Sequence, residues 1–272
     1  MADEQRASHP SWLGIGALGC AGVVGIVVLL LGGIAGLTFW GYRHAIGVRE
    51  DLDRTYGTYD SYRPSPDGTI QPDRMRHFLT VRQALMPRCP EVTNVTGSFR
   101  AVDEMAGQHA PDVGELFSRV GRVVKTFPSM GLIFGEYVSD RNVALRNNQM
   151  GLGEYTWIYA VGYFAYLKQP PTRVLDERDR PSLFPSRVFP AVAKAIERHV
   201  AEGGPSIGAW ADELARLQAD PARVPFRDGL PAELAASLAP FQGALQSFAC
   251  PAAAELDLTL TVRRESFGYD HR

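Results

Sequence analysis

The distribution of apolar and polar residues divides the chain near residue 40. The 29 residues from Trp12 to Trp40 include no charged side chain, whereas the rest of the chain mixes polar and apolar residues. A helix of that length would be about 44 Å long, and the hydrocarbon core of a bilayer is about 30 Å thick. Tryptophan at both ends suits the two membrane interfaces. The pattern predicts an N-terminal tail over residues 1–11 and one transmembrane helix over residues 12–40 that contacts the lipid bilayer.

The residues on either side of this segment indicate whether it is cleaved and in which orientation the chain crosses the membrane. A cleaved signal peptide has a basic start and a short apolar run, and neither occurs here. Arg43 and Arg49 favour a cytoplasmic C-terminal domain by the positive-inside rule, whereas the short N-terminal tail and a pair of cysteines favour an extracytoplasmic domain. We expect an uncleaved, single-pass membrane protein whose soluble domain is extracytoplasmic.

Small residues in the span offer a surface for a second helix. Gly32 and Gly36 form a G-x-x-x-G pattern, which lets two transmembrane helices pack closely. Small residues are also common in spans that have no partner. A homodimer through the Gly32 and Gly36 face and a monomeric span are therefore both open.

Beyond the span, apolar residues recur with the helical period. Residues 41–68 form a polar stalk and linker that ends in a proline-rich turn. From residue 69 to residue 262, successive segments place apolar side chains three or four residues apart, which predicts amphipathic helices. These predicted helices begin near Pro72, Pro90, Asp112, Ser129, Glu154, Pro190, Ser206 and Pro231.

Three segments of this helical domain have distinct patterns. Residues 154–167 are apolar or aromatic on nearly every side, which predicts the central buried helix. Pro240 should divide the last predicted helix, over residues 231–249. Residues 256–262 alternate with a period of two, and we expect an extended packed tail because no partner strand is predicted. The predicted fold class is all-α: an N-terminal transmembrane helix, a multi-helix soluble domain over residues 69–262 with a short extended C-terminal segment, and a C-terminal tail over residues 263–272.

Composition narrows the function classes. The net charge is −2, from 28 Lys and Arg against 30 Asp and Glu, so we do not expect nucleic-acid binding through bulk positive charge. An apolar content of 45% argues against a disordered chain. Only three of the 28 basic residues are lysine, a preference for arginine that is typical of GC-rich bacterial genomes.

Cysteine and histidine give few candidates for chemistry. Cys89 and Cys250 lie in the soluble region and belong to no C-x-x-C pair, so a thioredoxin-like or zinc site is not predicted. In an exported domain the two could form a disulfide; otherwise they are two unrelated buried thiols. No histidine pair has metal-ligand spacing, and no phosphate-binding loop or nucleophile elbow occurs. The sequence nominates no catalytic residue, no metal site and no cofactor.

Charged residues on apolar helix faces form the main candidate site. Arg82 and Arg141 each lie seven residues after an apolar residue of a predicted buried face. A buried charge must be paired or neutralised, so we expect nearby acids to meet the two arginines inside the bundle. Tyrosines spaced by four along the central helix would add hydroxyl groups on one side. The predicted cluster comprises Arg82, Glu136, Asp140, Arg141, Glu154, Tyr155, Tyr159 and Tyr163.

This cluster has three interpretations. It can be a polar network that fixes the register of the helices. It can line a pocket in which the arginines bind an anionic head group and the aromatic rings contact an apolar body. Least favoured is an enzyme in which Glu136, Asp140 or Glu154 acts as an acid or base.

Three stretches of the chain carry a resemblance to a protein group. They are Phe78-Leu-Thr-Val-Arg82, the segment over residues 141–159 with its Met150-Gly-Leu-Gly-Glu-Tyr core, and Ser247-Phe-Ala-Cys250-Pro. The chain resembles uncharacterised bacterial single-pass membrane-anchored helical proteins of unknown function, over most of residues 65–250. The resemblance implies a membrane anchor and a helical domain, and it implies no activity.

These patterns together lead to an expected function. We expect a membrane-anchored helical protein that serves as a structural or protein-interaction module at the bacterial envelope, with a protein partner that the sequence does not identify. The alternative is a domain that binds a small or lipid-like ligand in a pocket lined by tyrosine and arginine. An acid/base hydrolase ranks third.

Overall fold

The computed structural model describes residues 49–94, 133, 135–169, 188–204, 206–221 and 223–259. Within these ranges the chain forms helices joined by turns, and no strand is present. The helices are, in chain order, α1 (residues 49–56), α2 (Pro72–Leu85), a 3-10 turn (Met86–Arg88), α3 (residues 89–94), α4 (residues 135–147), α5 (Leu152–Tyr159), a π-helical segment (Ala160–Tyr166), α6 (Val188–Glu202), α7 (Ile207–Ala219), α8 (Ala232–Leu238), a 3-10 turn (Ala239–Phe241), α9 (Gln242–Ser247), a 3-10 turn (Pro251–Ala253) and α10 (Ala254–Thr259).

The all-α prediction is confirmed for the part of the chain that the structure describes. The predicted transmembrane helix over residues 12–40, the predicted helix that begins near Asp112 and the tail over residues 263–272 lie outside the described residues. Among the helices that are described, none combines the length and the apolar character needed to cross a membrane.

The centre of the core is α5 together with the π-helical segment that continues it. Every residue from Tyr155 to Ala165 is buried, so the prediction of a central buried helix is confirmed. The wider turn of the π-helix is seen where the Leu167 N–H donates to the Gly162 carbonyl, five residues back, at 3.0 Å. Helices α2, α6 and α8 pack around this central element.

Residues 49–68 pack on the helical core and do not form a free stalk. Leu52 of α1 is 1% exposed and Tyr59 is 8% exposed, and both belong to the hydrophobic core. The loop after α1 passes directly over the start of α5, where a Cβ on Gly153 would lie 2.6 Å from the Tyr59 carbonyl oxygen. Only glycine allows this approach, so the segment before α2 belongs to the same folded unit as the later helices.

Helices α6 and α7 form a hairpin that packs on α5. The turn between them begins at Gly203, which has a φ of +75° that favours glycine. Trp210 of α7 stacks on Trp157 of α5 with ring centroids 5.7 Å apart. Phe226 meets Trp210 edge to face at 5.4 Å, so one aromatic group joins α5, α7 and the loop after α7.

The C-terminal third contains one confirmed prediction and one wrong prediction. Pro240 divides the last predicted helix as expected, because α8 and α9 are separated by the 3-10 turn Ala239–Phe241. Residues 254–259, however, form the helix α10 and not an extended tail. The buried residues of this region follow helical spacing, so the alternation of period two does not reflect the structure over residues 256–259, which are the described part of that segment. These buried residues are Ala253, Ala254, Asp257 and Leu258.

A disulfide joins Cys89 and Cys250 across 161 positions of the sequence, with Cα atoms 6.0 Å apart. Of the two alternatives for these cysteines, a disulfide or two unrelated buried thiols, the structure has the disulfide. The bond fastens α3 to the segment that leads into α10.

Candidate functional site

Arg82 is the centre of the buried polar cluster. It lies on the core face of α2 with Met75, Phe78 and Leu85, as the helical spacing predicts, and it is fully buried. Its guanidinium lies over the rings of Tyr159 and Tyr163, 5.2 and 5.5 Å from their centroids. The aromatic faces hold this cation in a fixed orientation.

The acid that pairs with Arg82 is Asp257, which the sequence did not nominate. Arg82 Nη1 lies 2.5 Å from Asp257 Oδ2. The Tyr137 and Tyr155 hydroxyls donate to the other oxygen, Oδ1, at 2.8 and 2.9 Å. Arg82 Nη1 also donates to the Tyr155 hydroxyl at 2.9 Å. We name Arg82, Tyr137, Arg141, Tyr155 and Asp257 the buried cluster.

Arg141 binds the backbone of α10. Its Nη1 donates to the Asp257 carbonyl oxygen at 2.7 Å. Its Nε and Nη2 donate to Asn142 Oδ1 at 3.1 and 2.9 Å. Together Arg82 and Arg141 hold both the side chain and the main chain of Asp257, so one residue of α10 is bound by α2, α4 and α5.

A second contact secures the chain just before α10. The carbonyl oxygen of Phe248 accepts hydrogen bonds from Arg82 Nη2 at 3.3 Å and from the Tyr163 hydroxyl at 3.1 Å. Tyr163 is buried, as predicted, and its hydroxyl is used for this backbone contact. The tyrosine side of the central helix therefore faces the C-terminal segment.

The electrostatics of the cluster follow from burial. Desolvation raises the pKa of the Tyr155, Tyr159, Tyr137 and Tyr163 hydroxyls above the ordinary tyrosine value. These hydroxyls therefore stay protonated and can donate. Burial lowers the pKa of Arg82, but the charge of Asp257 and, to a smaller extent, the neighbouring tyrosines raise it, and together they leave the pKa above the ordinary arginine value.

Arg141 shows the opposite shift. Burial lowers its pKa, and the attraction of Asp257 only partly offsets this. The difference from Arg82 is physical, since Arg82 touches the Asp257 carboxylate whereas Arg141 touches its carbonyl oxygen. Arginine stays charged in proteins, so the cluster contains two buried cations.

Glu154 does not belong to the buried cluster, contrary to the prediction. Its carboxylate binds Arg74 Nε at 2.7 Å and Arg74 Nη2 at 2.5 Å. The two side chains are 14% and 26% exposed. Arg74 also donates to the Gln149 carbonyl oxygen at 2.9 Å. Glu154 sits on the first turn of α5, where the helix face reaches the rim of the core, so it joins α2 to α5 at the surface.

Glu136 and Asp140 were also wrongly placed in the cluster. Their side chains are 55% and 46% exposed, and both bind Arg88 at 2.9 Å. Arg88 further binds Glu91 at 3.2 Å. These residues form a surface ion network between α4 and the start of α3.

The structure therefore unites five of the eight predicted site residues. Arg82, Arg141, Tyr155, Tyr159 and Tyr163 lie together in the core, and the three predicted acids lie elsewhere. The residues that sequence reasoning missed are Asp257, Tyr137 and Asn142. The signal that could have found Asp257 is its place on a helical face with Ala253 and Ala254, four and three residues earlier.

Other chemistry is limited in the described ranges. No group of three or more His, Cys, Asp or Glu side chains there could hold a metal ion. Arg82 Nε and Asn142 Nδ2 are buried donors that have no partner among the described residues. The buried cluster contains one carboxylate, that of Asp257, and its donors hold this carboxylate tightly.

No protein-family model, no curated protein and no solved structure matches this chain.

Proposed function

We propose that this chain is a membrane-anchored helical protein that serves as a structural or protein-interaction module at the bacterial envelope. The observation that carries the proposal for the domain is the Arg82–Asp257 pair, in which both side chains are buried against each other. The Arg82 guanidinium and the Asp257 carboxylate compensate each other's charge, and the hydrogen bonds of the buried cluster join α2, α4, α5 and α10. Because such a network fixes these helices relative to one another, it makes the surface that they form rigid.

The anchor of the proposed module is the uncharged segment over residues 12–40. Residues 41–48 lie between this segment and the first described residue of α1, and Leu52 of α1 already belongs to the core. Eight residues reach at most about 28 Å when fully extended. We therefore place the helical domain close to the bilayer surface.

The disulfide supports an extracytoplasmic domain. Disulfides form and persist in oxidising compartments and are rare in the bacterial cytoplasm. The Cys89–Cys250 bond therefore outweighs the slight excess of arginine after the span.

The two other functions have less support. A pocket for an anionic amphipathic ligand would need space beside Arg82 and Tyr155, and Asp257 takes the place of the anionic group there. A hydrolase would need an accessible acid and base, whereas Glu154 is bound by Arg74 at the rim of the core.

Fractionation of bacterial cells that express the full chain tests the proposal. We expect the protein to stay in the membrane pellet after alkaline carbonate extraction. A variant with Val27→Arg and Leu30→Arg, which places two charges in the span, should be released. Release of the unaltered chain would contradict the anchor.

Protease added to spheroplasts should digest the helical domain, and full protection would contradict the orientation.

A homodimer through Gly32 and Gly36 is part of the proposal and has its own test. Cross-linking in membranes should yield a dimer that Gly32→Leu and Gly36→Leu abolish, because the larger side chains prevent close packing. Ile34→Phe, on the opposite side of the helix, is the matched control and should leave the dimer intact. Equal yields from all variants would contradict this interface.

A further inference from the structure

The protein holds Asp257 in the way that a binding site holds a ligand. The carboxylate is fully buried, and its side-chain donors come from three helices other than its own: Arg82 from α2, Tyr137 from α4 and Tyr155 from α5. Helix α10, which supplies Asp257, has six residues in the part of the chain that the structure describes. A helix this short is not stable by itself, so its position depends on these contacts.

Two of the three donors, Arg82 and Tyr155, are fixed by contacts that do not involve Asp257. The Arg82 guanidinium lies over the Tyr159 and Tyr163 rings and donates to the Phe248 carbonyl oxygen. The ring of Tyr155 packs on Phe78 with centroids 5.3 Å apart. Sites whose donors are already oriented lose little entropy when an anion binds.

The site also has a donor that Asp257 leaves unused. Arg82 Nε is buried and has no partner in the ranges that the structure describes. A guanidinium that keeps one N–H without a partner, beside two hydroxyl donors, is a donor set that suits a carboxylate.

We propose that Arg82, Tyr137 and Tyr155 form a carboxylate-binding site, which Asp257 occupies as an internal ligand and which accepts a free monocarboxylate when that side chain is shortened. The ligand class follows from size. Asp257→Ala removes only the carboxylate group, which leaves room for formate. Asp257→Gly also removes the methylene group, which leaves room for acetate. This proposal does not depend on the membrane anchor or on the function of the domain.

The test is chemical rescue of the full-length, detergent-solubilised protein, measured by thermal unfolding. Sodium formate, sodium acetate and sodium chloride are added to each variant at equal ionic strength. Formate should raise the melting temperature of Asp257→Ala by about 5 °C relative to chloride, and acetate should do so for Asp257→Gly. The unaltered protein, whose site is filled, should respond to the three salts alike.

The preference of each variant for one anion separates binding from a general salt effect. Asp257→Leu fills the space with an apolar group and should respond to no carboxylate. Equal responses of Asp257→Ala and Asp257→Gly to all three anions would overturn the proposal. If either variant does not fold alone, the yield of folded protein after refolding in each salt is compared. The same absence of an anion preference in that yield would also overturn it.

Discussion

Arg82 and Asp257 are joined by an ion pair of 2.5 Å although 175 positions separate them in the sequence. Seven residues after Arg82 and seven residues before Asp257, Cys89 and Cys250 are joined by the disulfide. The C-terminal segment therefore runs antiparallel to α2 and α3, with a covalent link at one end and an ionic link at the other. We call this arrangement the clasp.

The disulfide of the clasp should act mainly on the free energy of unfolding, whereas the ion pair should act mainly on the docking of α10. A bond that closes a loop of 161 residues restricts mainly the unfolded chain, by about 5 kcal/mol in the chain-entropy model. It adds little to the docking of α10, because the Phe248 carbonyl is already held by Arg82 and Tyr163 nine residues before Asp257.

Replacing both Cys89 and Cys250 by serine should therefore lower the free energy of unfolding by about 3–5 kcal/mol in chemical denaturation. Hydrogen exchange of residues 254–259 measured under native conditions should change little. Fast exchange confined to these residues in the serine variant would show that the disulfide holds α10 directly, contrary to this account.

Glu154→Ala should cost about 1 kcal/mol, measured by chemical denaturation. Its partner Arg74 is 26% exposed and keeps a hydrogen bond to the Gln149 carbonyl oxygen, so water and the backbone can satisfy the guanidinium. The control is Glu136→Ala, whose exposed carboxylate binds Arg88 and whose loss should cost under about 0.5 kcal/mol. A loss above about 3 kcal/mol for Glu154→Ala would indicate that it compensates a fully buried charge.

The helical spacing in the sequence was sufficient to predict that both arginines are buried, but it did not predict which residues pair with them. Arg82 and Arg141 fall in the middle of apolar stripes, where a side chain has no route to solvent. Glu136, Asp140 and Glu154 fall near the edges of theirs, and a shift of part of a turn decides between core and surface. Asp257 was missed because its contacts are 102 to 175 residues away. Its alternating neighbours also predicted an extended segment.

The protein should lose stability at alkaline pH. The raised pKa values of Tyr137, Tyr155, Tyr159 and Tyr163 mean that ionisation favours the unfolded chain. Their contribution to stability is complete below the ordinary tyrosine pKa of about 10 and declines as the pH rises above it. Ultraviolet absorbance of tyrosinate should include a cooperative phase that coincides with the loss of helical circular dichroism. Ionisation of all tyrosines without unfolding would contradict their burial.

Close packing over the start of α5 gives a matched pair of glycine substitutions. Gly153→Ala places a Cβ 2.6 Å from the Tyr59 carbonyl oxygen and 2.9 Å from the Tyr62 Cβ, and this overpacking should cost about 2 kcal/mol. At Gly243 a Cβ would have nothing within 4 Å, so Gly243→Ala should be neutral or stabilising by about 0.5 kcal/mol. Thermal unfolding of the two variants compares them, and equal melting temperatures would refute the packing of residues 49–68 on α5.

The central claim is that the buried charges of Arg82 and Asp257 compensate each other inside the core. A double-mutant cycle on these two residues tests it most directly. Arg82→Met keeps the shape of the side chain without its charge, and Asp257→Asn keeps an oxygen that accepts from Tyr137 and Tyr155. Each single variant strands a buried charge and should lower the free energy of unfolding by about 3 kcal/mol or more. The double variant removes both charges of the pair, and Arg141 keeps its hydrogen bond to the carbonyl oxygen of residue 257, so the loss of the double variant should be well below the sum of the two single losses. A double variant whose loss equals the sum of the two single losses would contradict the pairing of Arg82 with Asp257.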